Sequence, residues 1–350
     1  MAGGTGGHVF PGLAVADFMK SKGWRVVWLG TEGGMETTLA PRQGYDMEII
    51  RFSGLRGKSI GTWLLLPLRL LLALWQSAGV IRRIRPDVVL GMGGYPAFPG
   101  GIMASLLAKP LLIHEQNSIP GLTNKILTKV ADKVLLGFPG AISNGGKVMF
   151  TGNPVRSTIS QLPSPRERYA ARRGRLKLLV IGGSLGAQAL NTIVPQALRR
   201  IPREARPAVT HQAGARHLEA LKKNYAEVGV EGELVTFIED MAARYADCDL
   251  VLCRAGALTI AEVSAAGVAS VLVPFPYAVD DHQTTNAKFL SDKNAAVLLP
   301  QTALTPEMLA ELLMGLSRGS LMEMAIKARQ LAKPDATREV ADACMKMTER

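Results

Sequence analysis

Two glycine-rich turns, one near the start of each half of the chain, constrain the fold most. The first is Gly3–His8 (GGTGGH) and the second is Gly182–Ala187 (GGSLGA). The second directly follows an apolar run, Leu178–Ile181, and precedes a helical pattern. A glycine turn between a strand and a helix is typical of Rossmann-like units, where helix amides approach a bound anion. A length of 350 residues suits two such domains.

Short apolar and β-branched runs alternate with helical patterns along the chain. This alternation predicts an α/β fold: two doubly wound, parallel-sheet, Rossmann-like domains that face a ligand cleft at the carboxyl ends of their strands. The predicted strands are Arg25–Leu29, Met47–Arg51, Asp87–Gly91, Leu111–His114, Lys133–Leu136, Val148–Thr151, Lys177–Ile181, Ala208–Gln212, Leu234–Ile238, Leu250–Cys253, Ser270–Pro274 and Ala296–Leu299.

The domain boundary is expected near the middle of the chain. We assign residues 1–153 to the first domain and 154–333 to a linker and the second domain. The segment Asn153–Gly174 holds three prolines and then a basic run from Arg166, a composition that indicates an interdomain linker. A last helical stretch, Asp335–Met347, has no strand after it, and its pattern allows packing on either domain.

The first glycine turn departs from this scheme. Only Met1 and Ala2 precede Gly3, whereas a central strand of about five residues should come before such a turn. We expect either a start that lies further upstream or a first sheet without its central strand, and we favour the upstream start.

Charge and cysteine content narrow the function classes. The net charge is +12 and the pI is about 9.8, which favours nucleic acid, an anionic membrane surface or phosphate-bearing ligands. Aromatic residues make up only 5%, so a platform for single-stranded nucleic acid is disfavoured. Three cysteines cannot form a disulfide framework or a four-cysteine zinc site, and they suit a reducing compartment. The first thirty residues lack the pattern of a secretory signal.

The first turn carries a candidate base. Gly3–His8 can present amides to an anion or can serve packing alone, and His8 can act as a general base or as a capping or core residue. A nicotinamide dinucleotide site would need a carboxylate about 20 residues after the glycine turn. Glu32 meets that spacing in the first half, but His211–Gly214 offers none in the second. Two glycine-rich halves that face one cleft fit a nucleotide-sugar donor better.

The segment Asp249–Gly267 reads as a strand, a turn at Gly256 and a helix. The amides of Ala257, Leu258 and Thr259 can bind phosphate at the helix start. Glu262 can accept hydrogen bonds from two ribose hydroxyls, or it can simply complement the helix dipole.

Other polar residues follow strands and are therefore expected at the same edge. Asp280 and Asp281 allow a metal site, although a helix cap is preferred. Gln283 can bind sugar hydroxyls, and Glu115 and Asn117 are candidate acceptor contacts. Arg156, at the domain junction, can reach a ligand or remain on the surface.

An apolar segment, Thr62–Ile81, raises the question of a membrane. Pro67 and Arg69 interrupt it, and polar residues recur every seven positions, which predicts an interfacial helix rather than a span. A buried core helix is the alternative. Between Ile49 and Pro86 there are seven basic residues and no acidic ones. The expected membrane contacts are Trp63, Leu64, Leu68, Arg69, Leu72, Trp75, Arg82 and Arg83.

Eight motifs together carry a resemblance that runs over nearly the whole chain. They are AGGTGGHVFPG (2–12), SGLRGK (53–58), DVVLGMGGY (87–95), HEQN (114–117), GNPVR (152–156), GGSLGA (182–187), ALTIAE (257–262) and DHQTTNA (281–287). With them the chain resembles the MurG-type N-acetylglucosaminyltransferases of peptidoglycan synthesis, which have the GT-B fold.

The resemblance implies a substrate pair, a location and a set of site residues. It implies an inverting, metal-independent transfer without a cofactor, from UDP-N-acetylglucosamine to undecaprenyl-pyrophosphoryl-MurNAc-pentapeptide (lipid I), giving lipid II. It implies a peripheral protein on the cytoplasmic face of the inner membrane, with other cell-wall synthesis proteins as further partners and no nucleic acid. It places the C-terminal helix (334–350) on the first domain. His8 is the expected base and Glu115 the second candidate. The implied donor contacts are Thr5, Gly6, Gly7, Asn117, Arg156, Ser184, Ile238, Ala257, Leu258, Thr259, Glu262 and Gln283.

Three other functions remain open at this point. The first is another GT-B glycolipid glycosyltransferase, with similar donor binding and a different acceptor. The second is a nicotinamide-dependent oxidoreductase, which predicts NADH binding and tolerance of Glu262→Ala. The third is a membrane-surface binding module that releases no UDP.

Overall fold

The computed structural model describes residues 1–52, 65–143, 145–183 and 186–349. It divides into two compact units: unit 1 comprises Met1–Val155 with Asp335–Arg350, and unit 2 comprises Arg156–Pro334. Each unit is an α/β structure in which parallel strands alternate with helices. This confirms the predicted fold class.

Unit 1 contains two parallel sheets among its described residues. A two-stranded sheet pairs β1 (Val27–Thr31) with β2 (Asp46–Ile50). A four-stranded sheet has the order β3 (Val89–Gly91), β4 (Leu111–Glu115), β5 (Lys133–Leu136) and β6 (Val148–Phe150). The strand β4 is buried along its whole length, so its end positions the side chains that follow it.

The first two residues lie between the two sheets. The amino group of Met1 donates to the carbonyl of Leu90 at 2.8 Å, and the amide of Met92 donates to the carbonyl of Met1 at 2.8 Å. On the other side, the indole of Trp28 donates to the carbonyl of Ala2 at 2.9 Å. A cavity of about 270 Å³ lies beside these residues, lined by β1, β3 and helix side chains. Met1 and Ala2 thus link β3 to the Trp28 side chain of β1 through hydrogen bonds.

The helices of unit 1 cover these sheets. Their bounds are α1 (Gly6–Ser21), α2 (Glu36–Arg42), α3 (Leu66–Ile84), α4 (Ala97–Leu106) and α5 (Leu122–Leu127). The C-terminal helix, Ala336–Lys346, packs against α1 in the same unit through Val340, Ala341 and Cys344.

Unit 2 has one six-stranded parallel sheet in its described part, with the order β12-β11-β10-β7-β8-β9. Its strands are β7 (Lys177–Ile181), β8 (Ala208–Gln212), β9 (Glu233–Val235), β10 (Leu250–Cys253), β11 (Ala269–Leu272) and β12 (Val297–Leu298). Its helices are α6 (Ser157–Ser160), α7 (Pro165–Ala170), α8 (Gln188–Arg200), α9 (Leu218–Glu227), α10 (Met241–Asp247), α11 (Ala257–Ala266), α12 (His282–Ser291), α13 (Pro306–Gly315) and α14 (Arg318–Gln330).

The basic run predicted as part of a linker is instead folded into unit 2. Arg168 is buried and donates to the carbonyls of Tyr245 at 2.9 Å and Gly267 at 2.6 Å. Arg172 pairs with the buried carboxylate of Asp249 at 3.1 Å. The carbonyls at helix C-termini attract cations, so these arginines join the run to the unit rather than face solvent.

Candidate functional site

His8 lies in the first turn of α1. The helix begins at Gly6, and its preceding residue, Thr5, has an extended backbone. The carbonyl of Thr5 accepts from the amides of His8 and Val9, both at 3.1 Å. The predicted donor contacts Thr5, Gly6 and Gly7 therefore form the start of this helix, next to the candidate base.

The HEQN segment at the end of β4 reaches the His8 ring. Nδ1 of His8 lies 3.0 Å from Oε1 of Gln116, and Nε2 of Gln116 donates to the carbonyl of Met92 at 2.8 Å. An ideal Cβ at Gly93 would lie 2.9 Å from the His8 ring. Gly93 also has a φ of +95°, which favours glycine, so this position requires a glycine for its backbone conformation and for the space beside His8. Gln116 was not among the predicted site residues.

Glu115, the second candidate base, is surrounded by donors. Oε1 accepts from the amide of Asn117 at 2.9 Å. Oε2 accepts from the amide of Gly121 at 3.0 Å and from Nδ2 of Asn124 at 2.9 Å. The residue is buried, with 2% exposure. The carboxylate of Glu115 thus holds the loop that follows it.

A buried carboxylate lies beneath the first glycine turn. Oε2 of Glu36 accepts from the amide of Gly4 at 3.0 Å, and Oε1 accepts from the amide of Thr31 at 3.0 Å. Glu32, the acidic residue that the spacing indicated, instead pairs with Arg51 on the surface at 3.3 Å. The sequence alone could not show which of Glu32 and Glu36 lies near the turn, because the burial of each side chain depends on the path of α2.

The start of α11 in unit 2 has the geometry of an anion site. Gly256 precedes the helix with an extended backbone, and the helix begins at Ala257. The amides of Ala257, Leu258 and Thr259 belong to the first turn, where an α-helix provides them with no internal acceptor. Their dipoles therefore favour a phosphate at this point.

Glu262, on the same helix, is held by two other groups. Oε1 lies 3.3 Å from Nη2 of Arg156, and Oε2 accepts from the hydroxyl of Tyr245 at 3.2 Å. Only 13% of the Glu262 side chain is exposed. Burial raises the pKa of Glu262, while Arg156 and the Tyr245 hydroxyl oppose that rise. The structure thus brings together Arg156 and Glu262, and it adds Tyr245, which the sequence patterns did not indicate.

The remaining donor candidates have separate environments. Ile238 is buried after β9. Oε1 of Gln283 accepts from the amide of Phe275 at 2.9 Å, which holds the side chain beside the loop after β11. Asn117 of unit 1 donates to Glu115 from its backbone and its side chain. Ser184 lies outside the described residues.

The two aspartates before α12 behave as turn residues. Asp281 accepts from the hydroxyl of Thr284 at 2.7 Å, and both Asp280 and Asp281 have positive φ values. In the described part of the chain, no group of three or more His, Cys, Asp or Glu residues could hold a metal ion.

Helix α3 has a buried face and an exposed apolar face. Ala73, Ser77 and Ile81 are buried at a spacing of four residues. The opposite face exposes Leu68 (66%), Leu71, Leu72 and Trp75 (73%). Among the described residues, no helix is long and apolar enough to cross a membrane. Trp63 and Leu64 lie outside the described residues.

Cations border this apolar face. Arg69 and Arg82 are exposed. Arg83 instead pairs with Glu48 at 2.6 Å, so part of the predicted basic rim is neutralised by a neighbouring strand. Glu48 lies just outside the stretch from Ile49 to Pro86 that has no acidic residue, so the sequence pattern did not indicate this partner.

Two parallel α/β units, with glycine turns at helix starts and a buried carboxylate beside one of them, have the fold of the GT-B glycosyltransferases. The chain belongs to glycosyltransferase family 28: the model of its N-terminal domain matches residues 1–136 and that of its C-terminal domain matches residues 177–340.

Relatives span nearly the whole chain. A protein of Nitrosospira multiformis is 75% identical over 99% of this chain and 97% of its own length, and one of Cupriavidus metallidurans is 61% identical over 99% and 97%. Both are named UDP-N-acetylglucosamine–N-acetylmuramyl-(pentapeptide) pyrophosphoryl-undecaprenol N-acetylglucosamine transferase. The crystal structure of Acinetobacter baumannii MurG is similar, with a TM-score of 0.85 and 43% identity over 99% of this chain and 98% of that chain.

Proposed function

We propose that this chain transfers N-acetylglucosamine from UDP-N-acetylglucosamine to the 4-hydroxyl of undecaprenyl-pyrophosphoryl-MurNAc-pentapeptide, with inversion at the sugar carbon, and so makes lipid II. The substrates are those in the names of relatives such as one that is 75% identical over 99% of this chain. The structural observation that carries the proposal is the start of α11 in unit 2, whose first-turn amides have no acceptor within the helix, with Glu262 on the same helix.

Unit 2 supplies the donor contacts in this proposal. The amides of Ala257–Thr259 receive the diphosphate, and Glu262 accepts hydrogen bonds from the ribose hydroxyls. As the bond from the sugar C1 to the phosphate oxygen breaks, its electron pair leaves with UDP. Amide dipoles fixed before the reaction stabilise that charge without reorganising. We therefore propose a transfer that needs neither metal nor cofactor.

Unit 1 supplies the base. The oxygen of the muramoyl 4-hydroxyl attacks C1 while its proton passes to His8, so one C–O bond forms as the other breaks. Glu115 is less suited, because its two oxygens already accept from Asn117, Gly121 and Asn124.

The exposed face of α3 supplies membrane contact. Leu68, Leu71, Leu72 and Trp75 form an apolar surface bordered by the cations Arg69 and Arg82, which is the pattern of a helix lying in the headgroup region of anionic lipid. Such a contact would hold a peripheral enzyme at the cytoplasmic face of the inner membrane, where a polyprenyl acceptor stays.

The test is a comparison of ligands followed by turnover. Calorimetry should show binding of UDP-N-acetylglucosamine and none of NADH. With a lipid I analogue the protein should release UDP and form the disaccharide product, also in the presence of EDTA. Glu262→Ala should abolish donor binding, whereas His8→Ala should keep it and lose turnover. Binding of NADH, or a glycolipid acceptor preferred over the lipid I analogue, would contradict the proposal.

A further inference from the structure

His8 is held through one ring nitrogen, and this contact decides where the ring carries its proton. Nδ1 of His8 lies 3.0 Å from Oε1 of Gln116. A neutral imidazole has one N–H donor and one bare nitrogen. Because an amide oxygen only accepts, the contact requires the proton on Nδ1 and leaves the lone pair on Nε2.

The Gln116 amide is oriented from its other end. Its Nε2 donates to the carbonyl of Met92 at 2.8 Å. Turning the amide over would place two oxygens against each other at Met92, and that contact is repulsive. Gln116 is 1% exposed, so water has little access to replace either partner. The oxygen of Gln116 therefore faces His8.

Two further contacts limit movement of the pair. The backbone carbonyl of Gln116 accepts from Nδ2 of Asn153 at 3.0 Å. The chain at Gly93 lies so close to the imidazole that an added Cβ would be 2.9 Å from Nδ1 and Cε1. The His8 ring is thus confined at the edge that carries Nδ1.

Among the described residues, the titratable groups nearest His8 are engaged with partners other than Nδ1. Nε2 of His114 contacts the carbonyl of Gly152 at 2.9 Å, and burial lowers the pKa of His114 to about 4, so that ring is neutral at pH 7. The carboxylate of Glu115 faces Asn117, Gly121 and Asn124. The carboxylate of Glu36 faces Gly4 and Thr31.

We propose that Gln116 is a positioning residue that holds His8 as the Nδ1–H tautomer, so that Nε2 is the atom that accepts the proton of the acceptor hydroxyl. This inference rests on the proposed function, because the proton that Nε2 accepts is that of the acceptor hydroxyl in the proposed sugar transfer. It assigns to Gln116 a mechanistic role that is exerted through His8.

The tautomer can be read directly from the unmodified protein. Two-bond ¹H–¹⁵N correlation spectra of the ¹⁵N-histidine-labelled protein at neutral pH should show His8 with a protonated Nδ1 and a bare Nε2. A His8→Ala spectrum assigns the signals. His211, whose two nitrogens contact Tyr225 and Asn191, serves as an internal reference in the same spectra. A bare Nδ1 on His8 in the wild-type protein would overturn the inference without any mutation.

Two substitutions test the catalytic consequence. Gln116→Met keeps the length of the side chain and removes the acceptor, so His8 should move toward the Nε2–H form. We expect kcat to fall by roughly 10- to 100-fold, while KM for UDP-N-acetylglucosamine stays within about threefold. Gln116→Glu, as the neutral acid that burial favours, keeps an O–H donor for the Met92 carbonyl and an acceptor for Nδ1–H. It should therefore retain the wild-type tautomer and a kcat above that of the Met variant.

The outcomes separate this inference from the proposed function. An active wild-type protein whose Gln116→Met variant keeps its kcat would refute the positioning role. Loss of kcat with unchanged His8 signals would also refute it, because that result indicates a structural role alone. A wild-type protein that transfers no sugar to the lipid I analogue would refute the proposed function instead.

Discussion

The hydroxyl of Tyr245 donates a hydrogen bond of 3.2 Å to Oε2 of Glu262, from one helix of unit 2 to the next. Tyr245 is fully buried, and burial together with the nearby carboxylate raises the pKa of its phenol well above the usual range. The phenol therefore stays a donor at any working pH. It fixes one oxygen of the carboxylate that we assign to the ribose.

Replacing this phenol tests its effect on donor binding. Tyr245→Phe removes one of the groups that orient Glu262, so KM for UDP-N-acetylglucosamine should rise by about 3- to 10-fold, equivalent to the 0.5–1.5 kcal/mol of one hydrogen bond. The change in kcat should stay within about twofold. Steady-state kinetics at varied donor concentration measures both.

A matched control is available in the same unit. The buried hydroxyl of Tyr225 contacts Nδ1 of His211 at 3.0 Å, outside the proposed donor site. Tyr225→Phe should lower stability and leave the donor KM unchanged. Equal donor KM values for Tyr245→Phe and the wild-type protein would show that the hydrogen bond from Tyr245 does not orient Glu262 for donor binding.

The two candidate bases predict opposite responses to mutation. Glu115→Gln loses the charge that accepts from backbone and side-chain donors, so the free energy of unfolding should fall by about 1–3 kcal/mol. His8→Ala should reduce kcat by roughly 10²- to 10⁴-fold and shift the melting temperature by only about 2 °C or less. Calorimetric melting and turnover measured on both variants compare these effects. A Glu115→Gln protein with wild-type melting and no turnover would transfer the base role to Glu115.

The buried His211 makes the stability of unit 2 dependent on pH. Burial lowers the pKa of His211 to about 3 from its ordinary 6.5. Between pH 6.5 and pH 3, His211 is therefore protonated in the unfolded chain and neutral in the folded protein. The free energy of unfolding falls as the pH drops through this range, and it recovers as the pH rises. Between pH 7 and pH 5 this one group should cost about 2 kcal/mol.

Hydrogen exchange can localise that loss. Amides of β8 in unit 2 should lose protection at pH 5 relative to pH 7, after correction for the intrinsic exchange rates. His211→Gln can still bond to Tyr225 and Asn191 but does not titrate, so it should remove the pH dependence in β8. Loss of protection to the same extent in the variant would point to another group.

The exposed face of α3 should control lipid binding. Trp75 is 73% exposed, so Trp75→Asp should leave folding intact and weaken binding to vesicles of anionic phospholipid by roughly tenfold or more. Met314→Asp, at a residue of unit 2 that is 51% exposed, is the matched control and should bind like the wild-type protein. Vesicle sedimentation measures both. An equal loss in the two variants would indicate a general charge effect.

The alternation of apolar runs predicted the fold well, because parallel strands buried on both faces have few sequence options. Twelve strands were predicted, and the described residues contain each of them, with shifts of up to three residues at the ends, as at Glu233–Val235. The helix start at Ala257 was also predictable from Gly256 and the strand before it.

The side-chain partners were harder to predict, because they depend on contacts distant in sequence. Gln116 and His8 are separated by 108 positions, and Tyr245 and Glu262 belong to different helices. The basic run after Asn153 has the composition of a linker. Its role is set by the carbonyls at the ends of α10 and α11, which no local pattern reveals.

The carboxylate of Glu36 gives the first glycine-rich turn a negative charge of its own. The amide of Gly4 already donates to the Glu36 carboxylate. A second anion at this turn would therefore gain little from that amide and would be repelled by Glu36. That turn is better suited to a neutral hydroxyl than to a diphosphate. In the function that we propose, Glu36 thus favours a hydroxyl-bearing substrate at this turn and leaves the diphosphate to the start of α11 in unit 2.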